Sequence, residues 1–199
     1  MPRPKQVSDE QISSAARRVF RQMGVSAPVS LVAKALGVTP AALFHRTGSR
    51  ERLFIMAMRP THPDQFKLLQ FMSAGPTEGV PVEAQLEEIL TRLSAHLAVV
   101  SPNVFMLFAA GMHRTYKQAG RGLNLPLRTR RHLAAWLRRS RRRGRWRFRS
   151  AAVLADVLVG ALEGRHLYGY LHGRHSSVAS ERRFVRRLVR ELLRVPGHY

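Results

Sequence analysis

Residues 37–53 read GVTPAALFHRTGSRERL: a glycine stop, a Thr-Pro start, then a short run of small side chains leading into His45, Arg46, Arg50 and Arg52. Permanent positive charge beside a helix of little bulk is the chemistry of polyanion recognition. Arginine forks grip phosphate oxygens, while Ala41 and Ala42 let a backbone approach base edges and pack on thymine methyls. Bond-making chemistry has no comparable signature. Asp9, Asp64 and Asp156 are scattered, no nucleophile has an identifiable base partner, and no phosphate-cradling glycine loop occurs, so the chain does not read as an enzyme and no cofactor is expected. His172 and His175, in HGRH, lack further ligands nearby, and no metal is expected there. With no cysteine there is no thiolate nucleophile, cysteine-held zinc or disulfide.

The whole chain fits a polyanion partner. Its 199 residues carry a formal net charge of +22, and Lys and Arg total 34 against 12 Asp and Glu. The skew towards Arg can follow from codon usage, but the scarcity of acids cannot. The N-terminal MPRPKQVSDE lacks the apolar core of a signal peptide, and the longest apolar run, Ala151 to Leu162, is interrupted by Asp156 and too short to span a bilayer. A cytoplasmic protein with no membrane partner is therefore expected.

Helices must position the basic stretch. Ser8 with Gln11 forms a capping box ahead of Ile12, Ala16, Val19, Phe20 and Met23, which recur at helical spacing up to Gly24. Pro28 suits a first helical position, Val29, Val32, Ala33 and Leu36 share a face, and Gly37 stops that helix. Thr39 caps a third helix with Pro40 behind it and Leu43 facing inward, and Ser49 caps a fourth that ends before Pro60. A helix ending at Gly37, a turn through Val38 and a helix from Thr39 make a helix-turn-helix. Across residues 1–59 ten positive side chains oppose Asp9, Glu10 and Glu51, which favours a phosphate-facing module. Residues 60–79 read as irregular chain or one short helix. Beyond them the period is helical, with helices expected near 82–99, 102–116, 128–142, 149–171 and 180–193 and no strand.

ISSAARRVFRQMGV followed by VSLVAKALGVTPAALFHRTGSRERL resembles the DNA-binding domain of the TetR family of transcriptional regulators. The likeness extends more weakly to ADVLVGALEGRHLYGYL and the helix after it, similar to the two C-terminal helices with which family members dimerise. The resemblance implies an all-α fold with an N-terminal three-helix helix-turn-helix domain and connector helix, residues 1–59, and a C-terminal effector-binding and dimerisation domain, residues 60–199. It implies a homodimer on double-stranded DNA: a repressor released from a palindromic operator by a small apolar or anionic effector. Base-facing positions would be Ser30, Thr39, Pro40, Ala41, Ala42 and His45, and phosphate-facing ones Arg3, Lys5, Phe44, Arg46, Ser49 and Arg50. The family commonly has Tyr at the Phe44 position, His at Arg46, an aromatic or aliphatic residue at Thr47 and Lys at Arg50.

In the remaining chain, aromatic and Met residues have core packing as their ordinary role, and the resemblance implies that some line an effector pocket: Phe71, His96, Phe105, Phe108, Met112 and Trp136 are the candidates. The dimer interface is expected at Val159, Gly160, Leu167, Phe184 and Leu188, because the helix from Ala151 is apolar around nearly its whole circumference and must be covered on several sides. Arg128 to Arg149 contains no acidic residue. A solvated helix face, an anionic head-group site and auxiliary DNA contact all fit that run. Two other readings stand beside the regulator: a basic architectural DNA-binding protein without an effector, and a helical adaptor for acidic proteins or an anionic membrane.

Overall fold

The computed structural model describes residues 7–59, 64–112, 125–141, 148–174 and 176–193. Among them every regular element is a helix: α1 (Asp9–Met23), α2 (Val29–Leu36), α3 (Pro40–Thr47), α4 (Arg50–Met58), α5 (Asp64–Ala74), α6 (Val82–Ala109), α7 (Leu125–Arg141), α8 (Ala151–Leu171) and α9 (Val178–Leu193). They fall into two compact units. Residues 1–60 and 103–122 form one, residues 61–102 and 123–199 the other.

In the first unit, α1 begins at the capping box: Gln11 N–H donates to Ser8 Oγ at 3.2 Å and Ser8 N–H to Gln11 Oε1 at 2.8 Å. Its apolar face, Ile12, Ala16 and Phe20, is buried, and Phe20 meets Phe54 of α4 edge-on at 4.9 Å between ring centres. The end of α4 is tied to the same helix. Ser13 Oγ donates to the Met56 carbonyl at 3.0 Å and Arg17 Nε to that of Ala57 at 2.7 Å, so a cation sits at a helix C-terminus where orphan carbonyls need donors.

The second unit's core is built from α5, α6, α7, α8 and α9 around fully buried Met72, Leu86, Ile89, Leu90, Leu133, Trp136, Ala155, Leu158 and Leu162. By length and composition α6 could cross a membrane, yet Leu86, Ile89, Leu90 and Leu93 are spent inside this core. Arg130 on α7 reaches Glu163 at 2.6 Å and Asp156 at 3.3 Å on α8.

One helix differs in extent from the sequence reading, and ends elsewhere shift by up to three residues. Pro102, expected to start a new helix, lies inside α6. A mid-helix proline forfeits one hydrogen bond and crowds the carbonyl four residues back, a cost of about 3 kcal/mol. The buried positions nevertheless keep helical spacing across it, through Leu93, His96, Val100, Asn103, Met106 and Leu107, and continuous packing outweighs the defect. The last helix begins at Val178, with Ser177 Oγ accepting from Ser180 N–H at 3.2 Å, rather than near residue 180.

The fold holds α3 through little buried surface, since Leu43, 1% exposed, is its buried residue. Leu43→Ala is expected to lower unfolding free energy by about 2–5 kcal/mol, measured by urea denaturation.

Candidate functional site

The helix-turn-helix is assembled by local chemistry. Gly37 closes α2 in the left-handed region, φ 69°, where a Cβ would be strained. Its N–H donates to the Lys34 carbonyl at 3.2 Å and Val38 N–H to that of Ala33 at 3.1 Å. Two residues later Thr39 Oγ1 accepts from Ala42 N–H at 3.1 Å, and Pro40 occupies the position where a missing N–H is harmless.

With Leu43 inward and Thr47 half-buried, α3 turns Pro40, Ala41, Ala42, Phe44, His45 and Arg46 to solvent. Thr39 and Ser30, the latter on α2, are also exposed. All six sequence-predicted base-facing residues therefore lie exposed on α2, α3 and the cap between them. The Phe44 ring is 37% exposed although nothing polar decorates it.

The predicted phosphate set divides differently. Arg3 and Lys5 lie outside the described residues. Ser49 caps α4, accepting from Arg52 N–H at 3.1 Å. Arg46 donates to the Val7 carbonyl and to the Asp9 carboxylate, tying α3 to the start of α1. Arg50 donates to the carbonyls of Val25 and Ala27, the latter at 3.2 Å, and so braces the α1–α2 connection. Both guanidinium groups serve the fold while retaining donors beyond those bonds. Thr47, where the family expects an apolar side chain, returns its hydroxyl to the Leu43 carbonyl at 3.0 Å and leaves no polar atom stranded.

The six sequence-predicted pocket residues do not come together in one cavity. Trp136 is fully buried in the second unit's core, Phe71 packs at its edge under Arg92, and His96 is buried on α6. Phe105, Phe108 and Met112 belong to the first unit, with Phe108 53% exposed. A concave site does occur inside the second unit, about 170 Å³, walled by Thr91, Ser94, Ala95, Ala98 and Pro102 of α6, by Arg165, His166, Gly169 and Tyr170 of α8, and by Arg174, Ser176, Val178 and Glu181 around the start of α9.

Its floor is a hydrogen-bonded network. Ser94 Oγ donates to Glu181 Oε2 at 2.9 Å and lies 3.0 Å from His166 Nε2, while Arg165 Nε donates to Glu181 Oε1 at 2.8 Å. The serine has one proton; given to the carboxylate, it leaves a lone pair for an Nε2–H of neutral His166. Burial holds the His166 pKa below its ordinary value, aided by nearby Arg165 and opposed by Glu181 and Ser94. Burial alone would raise Glu181, but hydrogen bonds from Arg165, Ser94 and Ser176 outweigh it and hold the carboxyl below its ordinary range. Gly169 is required here: a Cβ would sit 2.7 Å from the Arg174 carbonyl oxygen.

On α8 and α9, Val159 is 1% exposed within the core, Phe184 and Leu188 pack partly buried against it, Leu167 is half-buried, and Gly160 faces outward with open space around it. The open face of α8 carries Val153, Val157, Gly160, Gly164, Tyr168 and Leu171 at successive three- and four-residue steps. Of the residues expected at an interface, Gly160 lies on that face and Val159 on the buried one, because burial, not composition, distinguishes the two sides of a helix apolar all round. Among the described residues no group of three or more His, Asp or Glu is placed to hold a metal.

Residues 12–57 match the sequence profile of the bacterial regulatory proteins of the tetR family. A search of curated proteins gives no match. Among solved structures, the chain is similar to a protein from Mesorhizobium loti assigned to the TetR family of transcriptional regulators (TM-score 0.70, 19% identity, 92% of this chain and 94% of that one). It is also similar to a tetR-family regulatory protein from Rhodococcus RHA1 (0.66, 13%, 92% and 96%) and to the fatty acid degradation regulator FadR from Bacillus halodurans (0.62, 16%, 94% and 100%). At these identities the likeness is one of fold, over nearly the whole chain.

Two outcomes follow from the bonding. Arg50→Ala should cost about 1–2 kcal/mol of stability, because two carbonyls lose a charged donor, and denaturant unfolding would register it without any DNA present. The second concerns acid. Because His166 and Glu181 both have folded-state pKa values below their ordinary ones, the unfolded chain takes up protons first, so their contribution is intact above those values and is lost on acidification, from below 6.5 for His166 and below 4.5 for Glu181. Between about pH 7.5 and about pH 5.5 the unfolding temperature should fall more for the wild type than for His166→Gln.

Proposed function

We propose that the chain, whose residues 12–57 match the tetR family of bacterial regulatory proteins, is a member of that family and acts as a homodimeric repressor that leaves a palindromic operator when a small effector binds its second unit. The observation carrying the DNA-binding half is the bare face of α3. A helix folded by its caps and one buried leucine presents Ala41, Ala42 and His45 outward, narrow enough for a major groove and edged by exposed Lys34 and Arg52.

Each copy supplies one such helix, and a two-fold pair of them reads two half-sites. The open face of α8 supports pairing. Val153, 61% exposed, and Val157, 46% exposed, continue into Gly160, Gly164, Tyr168 and Leu171, with open space at both glycines for a second backbone. The exposed side of α9 carries Arg182, Arg183, Arg186, Arg187 and Arg190, which would repel their symmetry mates at a two-fold axis. The pairing therefore centres on α8, and α9 contributes at the margin through Phe184 and Leu188.

Effector binding would act by favouring one of two dimer conformations that differ in the separation of the α3 helices. The concave site in the second unit supports a small-molecule effector.

Selection from random duplex DNA should return a palindrome, and His45→Ala should relax preference at one position of each half-site by about 1–3 kcal/mol. Enrichment of no sequence would leave a charge-driven architectural protein as the better account. Val157→Glu should shift sedimentation from dimer to monomer and weaken the selected palindrome more than random duplex, since each half-site held alone loses the benefit of linkage. An unchanged dimer with unchanged palindrome affinity would remove α8 from the interface.

A further inference from the structure

The concave site between α6, α8 and the start of α9 has a charge pattern that selects among ligands. Its acid, Glu181, is fully engaged: Arg165 meets one carboxylate oxygen at 2.8 Å and Ser94 the other at 2.9 Å. Arg165 is held by the same network, its Nη2 donating to Ser176 Oγ at 3.2 Å and Ser180 Oγ at 3.4 Å. The pair cancels, and the serine hydroxyls hold it in place. His166 gives its Nε2 side to Ser94 and adds no charge. The lining cation outside that pair is Arg174, which is exposed and has no ion pair among the described residues.

Apart from the hydroxyl-bearing Thr91 and Tyr170, the rest of the wall is apolar. Ala95, Ala98 and Pro102 line one side and Val178 the other, and Ala95, Ala98 and Val178 are exposed rather than packed. Small side chains on α6 leave the space empty, and Pro102, lacking an N–H, adds no donor that would need satisfying. A volume of about 170 Å³ admits on the order of ten non-hydrogen atoms, at about 10–15 Å³ for a water-sized group. One surplus cation lining a short, mainly apolar pocket fits a single negative group on a compact hydrocarbon body.

We propose that this pocket binds a small monocarboxylate with a compact apolar body, its carboxylate on Arg174 and its hydrocarbon against Ala95, Ala98, Pro102 and Val178. The assignment gives the ligand class for the effector-responsive reading above and rests on it only for its regulatory meaning. Because Ser94 and Glu181 join α6 to the start of α9 across the floor, a ligand seated on that floor touches all three helices that meet there.

The test uses the full chain and two probes of nearly equal shape, benzoate and its neutral counterpart benzamide, titrated calorimetrically at fixed sodium chloride. Benzoate should bind one per chain, and benzamide about tenfold or more weakly, the factor carried by a charge-assisted hydrogen bond. Arg174→Gln should bring the two probes to parity. Ala98→Trp, at an exposed position of α6 that the core does not use, should fill the pocket and abolish benzoate binding while leaving the unfolding temperature unchanged. Equal binding of both probes, a preference surviving Arg174→Gln, benzoate binding retained in Ala98→Trp, or no saturable binding by about 10 mM would each overturn the assignment. Selection of a palindrome alongside failed titrations would fell the ligand class alone. Saturable benzoate binding by a chain that selects no DNA sequence would leave the pocket and fell the regulator.

Discussion

An eight-residue helix in water does not hold itself, because nucleation fixes several dihedrals before the first hydrogen bond is returned. For α3 the usual remedy, burying a broad apolar face, conflicts with its use, since every side chain turned inward is lost to the outer surface. The module answers with bonds at the ends and one plug in the middle: Thr39 caps the start, Leu43 fills the core, Thr47 returns its hydroxyl to Leu43, and Arg46 fixes the last turn to Val7 and Asp9. The remaining elements follow from that demand. α1 and α4 together supply most of the core beneath, and α4 is anchored to α1 through Ser13, Arg17 and the Phe20–Phe54 contact.

The same economy explains why net charge overstates the number of arginines available to phosphate. Arg17 caps α4, Arg50 braces the α1–α2 connection, Arg130 ties α7 to α8, and Arg165 neutralises Glu181. Each uses a planar fork to satisfy carbonyls or carboxylates that lysine would meet one at a time. In an acid-poor chain, part of the arginine is thus structural mortar, and the field offered to a polyanion comes from the exposed remainder.

Elements fixed by neighbouring residues were legible in the sequence. Ser8 with Gln11, Gly37, Thr39 with Pro40 and Ser49 each act within a few positions of themselves, and the helices they bound follow the reading. Pro102 was misleading for a related reason: its local preference is to start a helix, and only packing on both sides of it, invisible in a short window, carries α6 through. The second unit's pocket depends wholly on distant pairings. Ser94 meets His166 across 72 positions and Glu181 across 87, and no local spacing joins the three. Large aromatic residues drew attention instead, yet Trp136 does what a buried indole commonly does and fills the core.

The Ser94, His166, Glu181 and Arg165 network also accounts for how α8 can be apolar almost all round. A helix buried on one side and open on the other has no strong amphipathic stripe to fix its rotation, so polar contacts at its C-terminal half must do so. Arg165 and His166 lie on the flank that meets α6 and α9, and the bonds they make set which side of α8 faces the core. Turning the helix by one residue would carry Leu158 and Leu162 out of that core and strand the carboxylate of Glu181 without its cation. Rotation of α8 is thus opposed at once by apolar packing and by a buried charge. That double constraint presents Val153, Val157, Gly160 and Gly164 together along one outward line.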